Sequence, residues 1–100
     1  MHILQIASGN FFSTYGGGQV YVRNIIDEMN KQQCLLTIFS FLNNSIGISK
    51  KSYKGIDLYE IGNIEKEELQ QLIQAIQPDI IHAHSQKALM CTIGQALHIP

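Results

Sequence analysis

The sequence contains little charge of either sign, and this scarcity excludes several classes of partner. Charged residues make up 15% of the 100 residues, and the formal net charge is −1. A balance so close to neutral provides no basic surface for nucleic acid or for an acidic membrane, so we expect neither as a partner. No apolar run is long enough to cross a bilayer. The N-terminus also lacks the basic region, apolar stretch and cleavage site of a signal peptide, which favours a cytoplasmic location.

The sequence is also poor in cysteine, with only Cys34 and Cys91. The two do not have the C-x-x-C spacing of a redox or metal motif. Both lie in apolar, patterned segments, so we expect two reduced and buried thiols. A chain of this length forms one small domain or part of a larger one.

Alternating apolar and amphipathic segments predict a layered α/β fold. They place strands at residues 2–7, 35–41, 56–61 and 79–84, and helices at residues 19–31, between Asn63 and Gln77, and after Ser85. Asn63 and Ser85 are suited to cap the second and third helices. Central strands that are apolar on both faces indicate a mainly parallel sheet covered on two sides, with the strand order 3-2-1-4. We therefore expect one Rossmann-like three-layer α/β/α domain over residues 1–100.

Two parts of this pattern are less regular. The strand at residues 56–61 alternates apolar and polar side chains, which predicts an edge strand with one wet face. Residues 43–55 are polar and contain glycine, so they predict a loop on which Lys50, Lys51 and Lys54 form a solvated surface. Because no helix is evident there, either a short irregular crossover joins the second and third strands or that pair is not parallel.

Three consecutive glycines, Gly16, Gly17 and Gly18, end a long loop and open the first helix. Glycine lets the backbone approach a ligand closely, and free N–H groups at a helix N-terminus favour an anion such as a phosphate. A tight entry turn explains the same glycines equally well. The loop is not a dinucleotide fingerprint, because residues 8–15 separate the strand from the glycines and no acidic residue ends the second strand. No G-K-[ST] follows the glycines, which excludes a P-loop.

The second candidate segment is P-D-I-I-H-A-H-S at residues 78–85, a strand that ends in polar side chains. Ligands bind at the carboxyl edge of a parallel sheet, where His84 and Ser85 would lie. His82 and His84 point to the same face of the strand, but a metal site needs a further ligand, so we expect no metal. We interpret His82 as a packed or locally hydrogen-bonded imidazole and His84 as a side chain facing a cleft. Ser85 is first a helix cap and second a ligand contact.

Together and in this order, the two segments resemble the N-terminal domain of family 4, or group 1, glycosyltransferases with the GT-B fold. Such domains begin with a strand like residues 1–7 and a long loop ending in G-G, which opens a helix patterned like Q-V-Y-V-R-N-I at residues 19–25. They later carry a strand of the type P-D-I-[IV]-H-[AS]-H-S and an I-P step. Residues 78–85 and residues 99–100 match these two features. The resemblance spans the whole chain.

The resemblance implies a retaining glycosyltransferase of the hexosyltransferase type as the full-length protein. It would transfer a sugar from a nucleotide-sugar donor to an acceptor hydroxyl in polysaccharide, lipopolysaccharide or glycolipid synthesis. Gly16, Gly17 and Gly18 would approach the donor diphosphate and the acceptor, and His84 and Ser85 would lie on the acceptor side of the cleft. The implied partners are a nucleotide-sugar and a glycan or lipid-linked acceptor, with no cofactor and no metal. The implied location is cytoplasmic, at most peripheral to the inner face of the membrane.

The chain departs from the family pattern in what its 100 residues contain. A further strand ending in H-G is absent from them, as is a second domain with paired glutamates. We therefore expect residues 1–100 to be the first half of the N-terminal domain of a two-domain enzyme, inactive alone. The strand at residues 79–84 would then be an exposed edge, which favours a homodimer or a swapped assembly.

Two other classes of protein are alternatives to a glycosyltransferase. A non-catalytic Rossmann-like module that binds an anion or a partner stays open as the alternative. A nucleotide-sugar epimerase is disfavoured by the long first loop and by the missing acidic residue.

Overall fold

A computed structural model of the chain describes residues 1–8, 17–32 and 34–100. In these residues the strands are β1 (His2–Ser8), β2 (Leu35–Ile46), β3 (Ile48–Tyr53), β4 (Ile56–Asn63) and β5 (Ile80–Ala83). The helices described are α1 (Gly17–Lys31), α2 (Lys66–Ile76) and α3 (Lys87–Leu97). Every strand and helix predicted from the sequence is present, and β3 is an addition.

The five described strands form one sheet in the order β3-β4-β2-β1-β5. β1, β2, β4 and β5 run parallel to one another, whereas β3 is antiparallel to β4. The four strands predicted from the sequence therefore take the predicted order 3-2-1-4. This confirms the Rossmann-like α/β fold with a mainly parallel sheet.

Helices cover both faces of the sheet. On one face α1 packs through a cluster of Ile3, Ala7, Val22, Ile26, Leu36, Ile38, Ile56 and Leu58. On the other, α2 and α3 pack through a cluster of Leu4, Ile6, Phe39, Ile61, Leu69, Ile73, Met90 and Ile93. Burying each Val, Leu, Ile, Phe or Met side chain of these clusters contributes about 1.5–3 kcal/mol. The apolar stripes predicted for the helices are the faces that fix them on the sheet.

The prediction of a loop at residues 43–55 is wrong. This segment extends β2 to Ile46 and then forms β3, which pairs with β4. Lys54 and Gly55 make the two-residue turn of this hairpin with φ values of 51° and 82°. Positive φ at both positions is typical of a type I′ turn. Because β3 takes the edge position, β4 lies inside the sheet and is not the edge strand that its alternation predicted.

The connection from β2 to β4 passes close to the backbone of β4 near its carboxyl end. Gly47 alone separates β2 from β3, and its φ is 85°. The Gly62 N–H donates to the Gly47 carbonyl at 2.8 Å. A Cβ on Gly62 would lie 2.4 Å from the carbonyl carbon of Ser45, so the crossing requires glycine there. Of the two alternatives left open, the short irregular crossover between parallel strands is correct.

The two predicted helix caps are wrong. Glu65, and not Asn63, is the N-cap residue of α2, and Gln86, and not Ser85, is that of α3. Neither Glu65 nor Gln86 makes a side-chain capping hydrogen bond. Ser85 therefore lies between β5 and α3, and its side chain does not cap the helix.

β5 is the outermost strand on its side of the described sheet. The Ile81 N–H donates to the Pro100 carbonyl at 2.8 Å, so this edge is partly covered by the last residue of the chain. Beside it lies a groove of about 660 Å³, lined by β5, α3 and residues 98–100. This edge is therefore open and partly apolar, in contrast to the hairpin edge at β3.

Candidate functional site at the switch point of the sheet

The chain reverses its direction of travel across the sheet at β1. From β1 the chain passes through α1 to β2 on one side, and α2 later returns it from β4 to β5 on the other side. The two helices lie on opposite faces of the sheet. The carboxyl ends of β1 and β5 thus lie side by side at a topological switch point, which is where open α/β sheets bind ligands.

His84 follows β5 directly at this switch point. Its backbone N–H donates to the Ile6 carbonyl of β1 at 2.9 Å, which continues the bonding between the two strands past Ala83. Its half-buried ring places Nε2 2.8 Å from Oε1 of Gln5. The ring is therefore held against β1, and its contact with a ligand stays a prediction.

Gln5 is a site residue that the sequence reasoning missed. It is fully buried in the middle of β1, and its amide nitrogen donates to the Met29 sulfur of α1 at 3.2 Å. A buried amide is unfavourable unless it is hydrogen-bonded. Gln5 satisfies its nitrogen at Met29 and its oxygen at His84. The available signal was a lone polar side chain in an otherwise apolar central strand.

Burial lowers the pKa of His84 below its usual 6.5, and the nearby charges of His82 and Lys87 lower it further. Each of these effects disfavours the imidazolium form. His84 is therefore neutral near pH 7, with one nitrogen able to donate and the other able to accept a hydrogen bond.

His82 lies on the same side of β5 as His84, as the two-residue spacing predicts. The two ring centroids are 4.2 Å apart, at an interplanar angle of 44°. The prediction of a packed or locally hydrogen-bonded His82 holds only for its contact with the His84 ring, because the side chain is otherwise exposed. It is the more accessible member of the pair, whereas His84 is fixed by Gln5.

The Ser85 hydroxyl oxygen is buried and has no hydrogen-bond partner among the residues that the structure describes. An unpaired buried hydroxyl costs about 1–3 kcal/mol, and such groups are uncommon in folded proteins. Because Ser85 does not cap α3, helix formation does not account for it. Its position next to His84 suits a hydroxyl that pairs with a ligand.

The glycines and the histidine segment lie at the same edge of the sheet. Gly17 and Gly18 form the start of α1, whereas Gly16 lies outside the described residues. Because β1 and β2 are parallel, α1 must run back from the carboxyl edge, which places its N-terminus at that edge. The first N–H groups of a helix have no partner within it. The role of these glycines toward a ligand stays a prediction.

The three lysines of the hairpin are exposed, as predicted, and each pairs with a carboxylate. The pairs are Lys50–Asp57 at 3.7 Å, Lys51–Glu60, and Lys54–Asp27 at 3.1 Å. Their positive charge is balanced locally, so this surface offers an anion little net attraction.

Both cysteines are free thiols. Cys34 is half buried and packs against the core on the α1 face. Cys91 is exposed, so the expectation of a buried thiol is wrong for that residue.

Within residues 1–8, 17–32 and 34–100, no three His, Cys, Asp or Glu side chains come together as a metal-binding group. Across the same ranges, no helix has the length and apolar character needed to cross a membrane. The expectations of no metal and of a cytoplasmic location stay predictions.

The fold defines a Rossmann-like α/β domain in which β1 and β5 end side by side at a topological switch point. The sequence matches the family model described as glycosyl transferase 4-like over residues 11–97. That match covers most of the chain, so the chain belongs to the glycosyl transferase 4-like family and the resemblance seen in the sequence is confirmed. No curated protein and no solved structure matches it.

Proposed function

We propose that the chain is part of an enzyme that transfers a sugar from a nucleotide-sugar donor to an acceptor hydroxyl. Membership of the glycosyl transferase 4-like family supports a glycosyltransferase-type function. The observation that carries the finer proposal is the buried Ser85 hydroxyl, unpaired among the described residues, beside the fixed His84. Both groups lie at the switch point, where a ligand is expected.

The start of α1 suits the diphosphate of the donor. Partial positive charge at a helix N-terminus favours an anion, and Gly17 and Gly18 leave room for the backbone to approach it. Negative charge grows on the diphosphate as its bond to the sugar breaks, and fixed N–H donors stabilise that charge most. We assign Gly16, Gly17 and Gly18 to this role.

His84 and Ser85 suit the acceptor. A neutral imidazole accepts a hydrogen bond from a hydroxyl, and a serine hydroxyl both donates and accepts. In this proposal the two groups, consecutive in sequence at the switch point, hydrogen-bond and orient the acceptor hydroxyl toward the sugar, and fixed orientation lowers the barrier to reaction. The acceptor oxygen then bonds to the anomeric carbon as the bond to the diphosphate breaks. The acceptor proton passes to the departing diphosphate, with retention of configuration and without a metal or cofactor.

In this proposal residues 1–100 are the first half of the N-terminal domain of a two-domain cytoplasmic enzyme. The physical support is that β5 is the outermost strand on its side of the described sheet, with a groove beside it. A second domain would contribute most of the nucleotide-sugar contacts. The 100 residues alone therefore transfer no sugar.

Sugar transfer is the test. The 100-residue chain, and the whole reading frame that contains it, are each incubated with labelled nucleotide-sugars and with glycan and lipid-linked acceptors. We expect transfer only from the whole protein, lowered about tenfold or more by His84→Ala or Ser85→Ala and unchanged by the control Lys50→Ala. Transfer by the chain alone contradicts the half-domain proposal. Nucleotide binding without transfer by the whole protein supports a non-catalytic binding module instead.

A second copy of the chain is the partner that we propose for the β5 edge. Exposed strand edges pair readily, and the adjoining groove adds apolar surface. Light scattering under reducing conditions is expected to show dimers at high concentration. Cys91→Lys, which places a charge on the groove wall, is expected to restore the monomer. A monomer of the unaltered chain at every concentration contradicts this proposal.

A further inference from the structure

The hydrogen bonds of Gln5 determine which nitrogen of His84 carries the proton. The Met29 thioether has no hydrogen to donate, so the group of Gln5 that faces it at 3.2 Å must be the amide nitrogen. The carbonyl oxygen of Gln5 then faces His84 Nε2 at 2.8 Å. A carbonyl oxygen only accepts, so Nε2 must carry the hydrogen. The reverse amide orientation would set the carbonyl oxygen against the sulfur lone pairs, with no hydrogen between them.

The other ring nitrogen of His84, Nδ1, is then left without a proton. A neutral imidazole with its proton on Nε2 has an electron pair on Nδ1. Among the described residues, the His84 ring hydrogen-bonds to Gln5 through Nε2. The backbone N–H of His84 is separately fixed on Ile6, so the ring and its main chain are both anchored to β1.

We propose that Gln5 is a positioning residue that holds His84 as the Nε2–H tautomer and reserves its Nδ1 for a ligand hydroxyl. Gln5 is fully buried and touches no ligand itself; it acts through His84. Met29 anchors the Gln5 amide from the opposite side. The assignment of the hydroxyl to a sugar acceptor rests on the proposed function, whereas the tautomer does not.

The tautomer is measurable without any sugar or nucleotide. In the chain labelled with ¹⁵N-histidine, long-range ¹H–¹⁵N spectra above the pKa of His84 are expected to show Nε2 protonated and Nδ1 unprotonated. The Nε2–H is expected to exchange slowly with water. Gln5→Leu removes the acceptor at similar volume, so exchange should be several-fold faster and the two tautomers should mix.

Two further variants separate positioning from packing. Gln5→Glu keeps an acceptor opposite Nε2, so it should retain the tautomer and raise the pKa of His84 through its negative charge. Met29→Leu removes only the anchor and should give an intermediate exchange rate. Ile38→Val is the matched control: Ile38 is buried beside Gln5 in the register of β1 and β2, and its trimming should leave the His84 spectrum unchanged.

An Nδ1–H tautomer in the unaltered chain would overturn the proposal. So would an unchanged spectrum in both Gln5→Leu and Met29→Leu, and the second variant decides the matter if the first does not fold. If the tautomer is confirmed but the whole protein transfers no sugar, the proposed function fails while the positioning role of Gln5 stands.

Discussion

The two edges of the sheet differ in how their polar side chains are paired. At the β3 edge, each lysine of the hairpin is paired with a carboxylate on α1 or β4. At the β5 edge, His82 is exposed and the Ser85 hydroxyl is unpaired within the described part of the chain. The charged groups of the β3 edge are paired within the chain, whereas His82 and the Ser85 hydroxyl at the β5 edge can still bind a ligand.

The difference separates what folding requires from what a ligand would use. Lysines on an edge strand discourage pairing with another chain, so the β3 edge is explained by stability and solubility alone. The polar groups beside β5 contribute little to stability, because a solvent-exposed imidazole and an unpaired hydroxyl form no strong internal bonds. Function therefore accounts for the β5 side better than folding does.

The largest effect on stability is expected at Gly62 of β4, where the connection between β2 and β3 passes close to the backbone. Gly62→Ala places a Cβ 2.4 Å from the carbonyl carbon of Ser45, and backbone cannot move aside cheaply. We expect a loss of about 3 kcal/mol in the free energy of unfolding by urea. Gly47→Ala is the control: it meets no atom within 4 Å but has a φ of 85°, so it should cost about 1 kcal/mol. Equal losses in the two variants would contradict the close crossing.

A smaller effect is expected where the hairpin is tied to α1. The Tyr53 hydroxyl donates to Asp27 at 2.9 Å. Burial and this bond to Asp27 raise the pKa of Tyr53. Tyr53→Phe should lower the free energy of unfolding by about 1 kcal/mol and should leave the His84 spectrum unchanged. A shift of the His84 signals in this variant would show that the two edges are coupled, and would contradict their separate roles.

The pH dependence of stability should originate on the β5 side. Because the folded pKa of His84 is lowered from 6.5, the unfolded chain binds this proton first as pH falls. The contribution of neutral His84 is complete above about pH 6.5 and is lost as pH falls through its folded pKa. The loss should be small, because solvent screens a half-exposed ring. Urea unfolding at about pH 7.5 and about pH 5.5 should show a smaller difference in His84→Gln than in the unaltered chain; an equal or larger difference contradicts the lowered pKa.

The smallest effect is expected at Ser85. Ser85→Ala removes a hydroxyl that is unpaired among the described residues, so stability should stay within about 0.5 kcal/mol or rise. Thr37→Val is the contrast, since the Thr37 hydroxyl lies 2.7 Å from His2 Nε2 and its loss should cost about 1 kcal/mol. A loss at Ser85 as large as that at Thr37 would show that its hydroxyl serves the fold.

Periodicity predicted most of the fold, because burial dictates it. The apolar stripes of α1 and α2, together with the right-handed crossovers, were enough to give the strand order of the parallel strands. β3 was not predicted, because its lysines are typical of a loop in sequence. The strand forms through pairing with β4, whose carboxylates pair with these lysines. The turn at Lys54 and Gly55 was the local signal that a hairpin was present.

The site was predictable in position and less so in detail. The strand ending in His84 and Ser85 could be placed at the carboxyl edge, because parallel strands end on one side of the sheet. The bond from His84 to Gln5 joins positions far apart in sequence, and only the register of β1 and β5 reveals it. His82 is more exposed than predicted, because its exposure depends on which strand edge is left uncovered.

Chemical-shift mapping on the ¹⁵N-labelled whole protein that contains the chain is the most direct test of ligand binding at the switch point. Nucleotide-sugars and their nucleoside diphosphates are titrated separately, and soluble glycan acceptors form a third series. We expect saturable shifts of the Gly17 and Gly18 amides with the diphosphates and of His84 and Ser85 with the acceptors, while the β3 edge stays unchanged. Shifts confined to Lys50 and Lys51, or no saturable shift at the switch point with any of these ligands, would contradict it.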